Sequence, residues 1–320
     1  MIDSQYQIRP YQGSDEAALM TLWNQTMHLD TISPGIFRSK VLLDLNFNPE
    51  GLVVCQAGSK LVGFVLSIRR QVPLFNQGLE PELSWITAFG VHPEHRQRGV
   101  ASQLFKTAIE RLREAGCTRT LISPYTPNYF IPGVDINGYP EAMAFLRAQG
   151  WQILNQPISM QANINGFQVP ANIIETDRLL NQSGIITRPV EAGDIPRLLP
   201  FIQEHFGWDW VRFAQEYLLV LFGSVGNDVV FLVAIKGDEI VGYCQQRGER
   251  FGPFGVAPQM RGNGIGRVLL FKCLAESASR SIHCAWFLWT GEDAARLYAL
   301  AGFEKARHFA VLEKNLGNGE

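Results

Sequence analysis

The stretch HPEHRQRGVASQLF at residues 92–105 recurs, in altered form, as APQMRGNGIGRVLL at residues 257–270. Each copy passes from a proline through arginine and small residues into an apolar run with helix-like spacing. A strand-like apolar segment precedes both copies, so the pattern predicts a strand, a loop and a helix. The same loop written twice in one chain indicates that a whole structural unit has been duplicated.

Three further pairs of segments recur in the same order along the chain. They are Arg9-Pro10 with Arg188-Pro189, the strand pairs that contain Gly63 and Gly242, and residues 141–153 with residues 293–305. Matched blocks in one order indicate two homologous domains. We predict an N-terminal domain at residues 1–165, a linker at residues 166–184 and a C-terminal domain at residues 185–320.

Each predicted domain has the same order of elements. A short strand is followed by a helix, two strands around a glycine turn, a further strand, the repeated loop and a second helix. A strand, a helix and a last strand complete the domain. Strands and helices mixed in this order indicate an α/β (α+β) fold, in which a mixed, twisted sheet is flanked by helices.

The composition restricts the class of protein. The chain has 320 residues, of which 46% are hydrophobic and 18% charged, so each domain can bury a core. The formal net charge is −2 and no basic tail is present, so we expect no nucleic-acid partner. No segment resembles a signal peptide or the ~20 apolar residues of a membrane span, and the cysteines form no C-x-x-C pair. We therefore predict a cytoplasmic protein without membrane partner, disulfides or a metal site, and the sequence leaves the oligomeric state open.

The repeated loop has the chemistry of an anion site. The first amides of a helix have no partner within the helix, and the helix dipole adds partial positive charge there. Gly99 and Gly264 leave these amides uncovered, while Arg96 and Arg261 add cations. The loop therefore predicts a site for phosphate or pyrophosphate. It is not the dinucleotide motif G-x-G-x-x-G, since Arg267 stands at the third glycine position, and it lacks the G-K-[S/T] ending of the nucleotide P-loop.

The motifs RQRGVA at residues 96–101 and RGNGIG at residues 261–266 resemble the Gln/Arg-x-x-Gly-x-Gly/Ala signature of the GNAT superfamily of acyl-CoA N-acyltransferases. The segment LYALAGF at residues 297–303 is similar to the closing segment of that family, and FLRAQGW at residues 145–151 resembles it more weakly. The resemblance covers nearly the whole chain, as two tandem GNAT domains.

The resemblance implies that acetyl-coenzyme A, or another acyl-CoA, binds with its pyrophosphate on the loop amides. It also implies that the pantetheine arm follows a bulged central strand. The residues implied in the first domain are Phe89, Gly90, Val91, Arg96, Gln97, Arg98, Gly99, Val100, Ala101 and Ser102. Those implied in the second domain are Phe254, Gly255, Val256, Arg261, Gly262, Asn263, Gly264, Ile265, Gly266 and Arg267.

The resemblance further implies direct attack of an amine on the thioester. Many family members protonate the departing thiolate with a tyrosine four residues before the glycine of the closing segment, a position held here by Tyr298 and, in the first domain, by Leu146. A phenol can donate a proton at neutral pH and a leucine cannot, so we predict that the C-terminal domain is catalytic, with Tyr298 as general acid. Glu249, at the start of the central strand, is the predicted general base, and Glu82 is its counterpart in the first domain.

Two segments have a second interpretation. The insertion at residues 123–143 is either a surface loop or part of a cleft in which Tyr129 or Tyr139 replaces the missing tyrosine. The segment FGWDWVRF at residues 206–213 is either an acceptor pocket suited to an amine or an aromatic packing surface.

The predicted function is that of an acetyl-CoA-dependent N-acetyltransferase that acylates a small-molecule or peptide amine. The alternative is a coenzyme A-binding module in which one or both domains are structural or regulatory and turn over no substrate. His92 and His95 lie beside the first loop, where they could contact phosphate, and their spacing predicts no metal.

Overall fold

A computed structural model describes residues 5–75, 77–223 and 228–317. The chain divides into two compact units. One contains Met1–Pro157 together with His308–Glu320, and the other contains Ile158–Arg307. Within the described ranges, every helix is too short or too polar to cross a membrane.

The first unit begins with a strand and a helix, as predicted, and continues through a mixed set of elements. These are β1 (Tyr6–Pro10), α1 (Glu16–Thr26), α2 (Pro34–Phe37), β2 (Leu52–Ala57), β3 (Lys60–Arg69), β4 (Leu83–Val91), α3 (Val100–Glu114), β5 (Arg119–Ile122), β6 (Val134–Asp135), α4 (Pro140–Ala148) and β7 (Gln152–Asn155).

The remaining elements follow the same plan a second time. They are β8 (Ile158–Asn163), α5 (Ala171–Gln182), β9 (Ile185–Pro189), α6 (Ile195–Phe206), α7 (Trp208–Phe222), β10 (Val229–Lys236), β11 (Glu239–Arg247), β12 (Arg250–Val256), α8 (Ile265–Ser279), β13 (Cys284–Thr290), α9 (Glu292–Ala299) and β14 (Glu304–Asn315). Short 3-10 turns at Pro93–His95 and Pro258–Met260 lead into the two repeated loops.

Each unit is built on a mixed sheet. In the first unit the strands lie in the order β1, β2, β3, β4, β5, β14 and β7, and only the pair β4–β5 is parallel. In the second unit the order is β9, β10, β11, β12, β13 and β8, with β12–β13 parallel. Neighbouring residues of a strand, such as Val53 and Val54, belong to different hydrophobic clusters, so apolar side chains pack on both faces of the sheet. The predicted α/β fold is confirmed.

One strand of each sheet comes from the opposite half of the sequence. Residues 311–315 of β14 pair with β5 and β7 in the first unit, although they lie at the end of the chain. Strand β8 follows β7 directly in sequence and yet pairs with β13 in the second unit. The chain therefore enters the second unit before the sheet of the first is complete.

The predicted domain boundaries differ from these units. Residues 158–165 belong to the second unit and residues 308–320 to the first. The predicted linker at residues 166–184 contains α5, which packs against α8 and β9 inside the second unit. Hydrophobic periodicity identifies a strand but not the strand with which it pairs, so this exchange could not be read from the repeat.

The repeated Arg-Pro motif has a structural role. Nη1 of Arg9 lies 2.6 Å from Oδ2 of Asp15, and Nη1 of Arg188 lies 2.7 Å from Oδ2 of Asp194. Each aspartate also accepts a hydrogen bond from the backbone amide three residues before it, which closes the turn ahead of α1 or α6. The hydrogen bonds from the arginines hold the pKa of both carboxyl groups below the ordinary value.

Candidate active site

The two repeated loops have the same backbone conformation. The residue before the helix is left-handed in both, with φ of 80° at Gly99 and 88° at Gly264. Two residues earlier, Gln97 adopts φ of 58° where the second loop has Gly262. A left-handed conformation is costly for a residue with a side chain, so the first loop holds Gln97 under strain that the second loop avoids.

The first amides of both helices have no hydrogen-bond partner within the helix. The first hydrogen bond within α3 runs from the amide of Gln103 to the carbonyl of Gly99, so the amides of the three residues between them have no partner in the helix. The corresponding bond in α8 runs from Val268 to Gly264. Each loop therefore has the backbone geometry of the predicted anion site.

The central strand of the first unit separates from its parallel neighbour beside the loop. Pairing between β4 and β5 ends at Ile86 and Ile122. The register between β3 and β4 shifts at Thr87, which is a β-bulge. The bulge lies two residues before the predicted segment Phe89–Val91. From Thr87 to Val91 the described pairing of β4 is with β3 alone, so backbone groups on the β5 side are available to a ligand.

A cleft of about 460 Å³ opens between this loop and the separated strands. The predicted cofactor residues of the first domain line it, with the exception of Arg98. Tyr139 also lines it. Its apolar lining includes Met27, Ile86, Ala88, Ile122, Ile131 and Val134. The cleft thus brings the loop at the start of α3 together with apolar side chains beside the bulged strand β4.

In the second unit, aromatic side chains pack around Tyr298 and against the central strand β12. The ring of Tyr298 lies 4.4 Å from that of Phe287 and 5.6 Å from that of Phe254, centroid to centroid. Side chains of Leu297 and Phe254 each lie 3.7 Å from the place where Gly266 would carry a Cβ. The predicted cofactor residues Phe254 and Gly266 therefore contact packed side chains.

The helix α5 also covers the second loop. The methyl group of Thr176 lies 2.7 Å from the position of a Cβ built on Gly264. At the equivalent Gly99 no atom of the described residues lies within 4 Å of that position. Lys272 fixes α5 against α8, since its Nζ lies 3.0 Å from Oδ2 of Asp177. The space beside Gly99 is therefore open, whereas α5 occupies the equivalent space beside Gly264.

The structure does not bring the predicted acid and base of the second domain together at the loop. Burial, with a smaller contribution from Cys244, raises the pKa of Tyr298 well above its ordinary value, which makes the phenol a weaker acid. Glu249 is exposed in the turn between β11 and β12. The seven residues of β12 separate it from the loop by roughly 20 Å at the usual strand rise.

The first unit places a different tyrosine at its cleft. Leu146, at the family's tyrosine position, is fully buried in the core. Tyr139 lines the cleft, donates a hydrogen bond of 2.8 Å to Oδ2 of Asp30 and accepts one of 3.1 Å from the amide of Leu29. The sequence did not indicate Asp30 as a site residue, because its partner Tyr139 lies 109 residues away in the chain.

The segment at residues 206–213 packs within the second unit. The ring of Trp210 stacks on Phe206 with a centroid distance of 4.8 Å. Oδ1 of Asp209 is 2.8 Å from a guanidinium nitrogen of Arg212. These contacts match the packing interpretation of the segment.

A mixed sheet with a bulged central strand, next to a helix start whose first amides have no partner within the helix, is the arrangement expected of an acyltransferase-type fold. Residues 18–129 match the model of the acetyltransferase (GNAT) family, and residues 227–305 match that of the acetyltransferase (GNAT) domain. The two matches together cover more than half of the chain. The protein belongs to the GNAT superfamily and carries two tandem GNAT domains, as the loop motifs predicted.

Several solved structures have the same fold. A GCN5-related N-acetyltransferase from Sphaerobacter thermophilus superposes with a TM-score of 0.70 at 16% identity, covering 100% of this chain and 98% of that one. A tandem GNAT protein from the clavulanic acid biosynthesis pathway has a TM-score of 0.63 at 15% identity, covering 98% and 100%.

A third similar structure belongs to a longer protein. It is the GCN5-related glucosamine N-acetyltransferase region of a fungal multi-domain GH3 beta-N-acetylglucosaminidase, with a TM-score of 0.77 at 17% identity. The match covers 97% of this chain but 38% of the fungal one. No curated protein matches the sequence of this chain. At these identities the likeness concerns the fold.

Proposed function

We propose that the protein transfers the acyl group of acyl-coenzyme A to an amine, and that the donor binds in the cleft of the first domain. The cleft carries this proposal, because it connects the loop amides to the bulge at Thr87 without interruption. The amides of Val100, Ala101 and Ser102 would hold the diphosphate, and the open edge of β4 would hold the pantetheine arm. The proposed domain is thus the opposite of the one that Tyr298 indicated from sequence.

Acetyl-CoA is the proposed donor. The apolar side chains of the cleft, such as Ile86 and Ile131, suit a short acyl group and would limit the access of water to the thioester. The named activity of the Sphaerobacter thermophilus structure is in line with this donor.

Tyr139 is the proposed general acid of the first domain. Its hydroxyl already donates to the carboxylate of Asp30, so a proton lost to the departing thiolate can be replaced from the amine through that carboxylate. In this step the amine nitrogen forms the new amide bond, the carbon–sulfur bond breaks, and the net proton moves from nitrogen to sulfur.

A small-molecule or peptide amine is the proposed acceptor. Glu141 lines the cleft and Asp30 accepts a hydrogen bond from Tyr139 of its lining, so both carboxylates would attract a protonated amine. The net charge of −2 does not favour a nucleic acid as the acceptor.

The second domain is proposed to be structural. This proposal is supported by Thr176, which lies against Gly264 of the second loop, and by Tyr298, which packs against Phe254 of the central strand. The proposal thus keeps one part of the alternative function, namely that one of the two GNAT domains turns over no substrate.

Thiol release from acetyl-CoA, followed with a panel of small amines and peptides, tests the proposal. We expect Tyr139→Phe to lower kcat by about a hundredfold, in the range typical of a lost general acid, with coenzyme A affinity unchanged within a factor of about two. The matched variants are Tyr129→Phe, outside the cleft lining, and Tyr298→Phe in the second domain. Full activity of Tyr139→Phe together with loss of activity in Tyr298→Phe would show that the second domain is the catalytic one.

A further inference from the structure

The first loop carries a cluster of metal-ligating side chains at its entrance. Ligand atoms of His92, Glu94 and His95 all lie within 4.8 Å of one another. Within the described part of the chain, this is the one group of three such side chains that comes together. It lies on the short turn Pro93–His95 and the residue that caps it, His92, immediately before the loop.

The turn explains why the two histidines lie close together. The backbone of residues 92–95 forms a 3-10 turn, closed by a 2.9 Å hydrogen bond from the amide of His95 to the carbonyl of His92. In this geometry residues three apart lie on the same side, so the two imidazoles face one another, 5.8 Å apart between centroids. Zinc motifs are usually recognised by the spacing of an α-helix or a longer loop, which is why the sequence predicted no metal here.

A buried tyrosine orients one of the imidazoles. Oη of Tyr6 lies 3.0 Å from Nδ1 of His95, and Tyr6 is 7% exposed. Histidines that bind metals usually have one ring nitrogen fixed by such a partner, so that the other nitrogen points to the ion. The contact spans 89 residues of sequence, which makes it a tertiary feature of the first unit.

We propose that His92, Glu94 and His95 bind a divalent transition-metal ion of the zinc class. Two imidazoles and one carboxylate form a ligand set that zinc uses in proteins, with a fourth position left for water or another oxygen. Ligand atoms in a tetrahedral zinc site are roughly 3.4 Å apart, so rotations of the exposed Glu94 and of the partly exposed imidazoles suffice to close the site. The proposal stands on this cluster and does not depend on acyl transfer.

The second loop provides the matched control. Its turn Pro258–Met260 has the same backbone, with φ and ψ of −47° and 133° at Ala257 against −50° and 134° at His92. Ala257, Gln259 and Met260 occupy the three ligand positions. The triple variant His92→Ala/Glu94→Gln/His95→Met therefore installs residues that the chain already accommodates in this turn.

Calorimetric titration of the metal-stripped, full-length protein with zinc chloride tests the site. We expect one equivalent of zinc per chain in the wild type, and at least a hundredfold weaker binding in the triple variant. Cobalt(II) should give visible absorption bands of a low-coordinate site in the wild type, and these bands should be missing from the triple variant. Tyr6→Phe leaves all three ligands in place and should weaken zinc binding by about tenfold.

Two results would overturn the assignment. One is uptake of no zinc by the wild type. The other is equal uptake by the wild type and the triple variant, which would place the metal on other side chains such as the cysteines. Circular dichroism of the triple variant confirms that it is folded, and Tyr6→Phe provides a second comparison if it is not. Thiol release plays no part in these measurements, so failure of the proposed activity and failure of the metal site are separate outcomes.

Discussion

Replacing Ser102 by aspartate tests which loop holds the diphosphate of the donor. Ser102 is exposed at the third position of α3, and Arg267 is exposed at the third position of α8. An acidic residue in the first turn of a helix interacts favourably with the helix dipole, so both Ser102→Asp and Arg267→Asp should fold normally. The two variants place the same charge at equivalent points of the two loops.

The expected effect follows from Coulomb's law. A carboxylate in the first turn lies about 6 Å from one negative charge of a diphosphate bound on the amides. At an effective dielectric constant of about 20 to 40, this raises the free energy of binding by roughly 1.4 to 2.8 kcal/mol. The dissociation constant of acetyl-CoA should therefore rise by about tenfold to a hundredfold in Ser102→Asp. Arg267→Asp changes the charge of the second loop by two units. Because Thr176 lies against Gly264 of that loop, we expect the dissociation constant of acetyl-CoA in this variant to stay within a factor of about two of the wild-type value.

Calorimetry with acetyl-CoA, at about 20 mM and again at about 500 mM salt, measures both constants. The penalty in Ser102→Asp should shrink at high salt, because screening weakens the repulsion between exposed charges. Unchanged binding in Ser102→Asp, combined with a large loss in Arg267→Asp, would refute the assignment of the donor to the first domain.

Tyr298→Phe should change the free energy of unfolding by less than about 1 kcal/mol in urea titrations, because its ring makes the aromatic contacts and no described hydrogen bond uses its hydroxyl; a loss above about 3 kcal/mol would reveal a buried partner. Asp194→Asn should destabilise the protein by about 1 to 2 kcal/mol at pH 7, since it removes the ion pair with Arg188. The pKa of Asp194 is lowered in the folded state, so this difference should persist above about pH 4 and diminish as the pH falls through the folded pKa; a difference that grew with acidification would contradict this sign. Gly255→Ala should lower the melting temperature clearly, because its Cβ would lie 2.4 Å from the ring of Phe206, whereas Gly266→Ala meets its neighbours at 3.6 Å or more and should stabilise α8 by about 0.5 to 1 kcal/mol. Equal melting temperatures of these two glycine variants would mean that Phe206 moves aside freely.

The family, the fold class and the repeated loop could be predicted from the sequence. Each depends on residues close together in the chain: apolar periodicity within a strand or helix, and glycines and arginines around one helix start. The paired motifs at residues 96–101 and 261–266 do fold into loops of the same backbone conformation. Local sequence patterns of this kind are sufficient to determine the local backbone conformation.

The tertiary structure decided which loop has room for a ligand and which strands complete each sheet. Strand β8 and the end of β14 each join the sheet built mainly by the other half of the chain. The contact between Thr176 of α5 and Gly264 of the second loop joins distant parts of the chain, and the partnership of Tyr139 with Asp30 spans 109 residues. Such contacts bring together residues that are far apart in sequence. The pattern around each residue records its own burial and polarity, but the identity of its partner is set only when the chain packs.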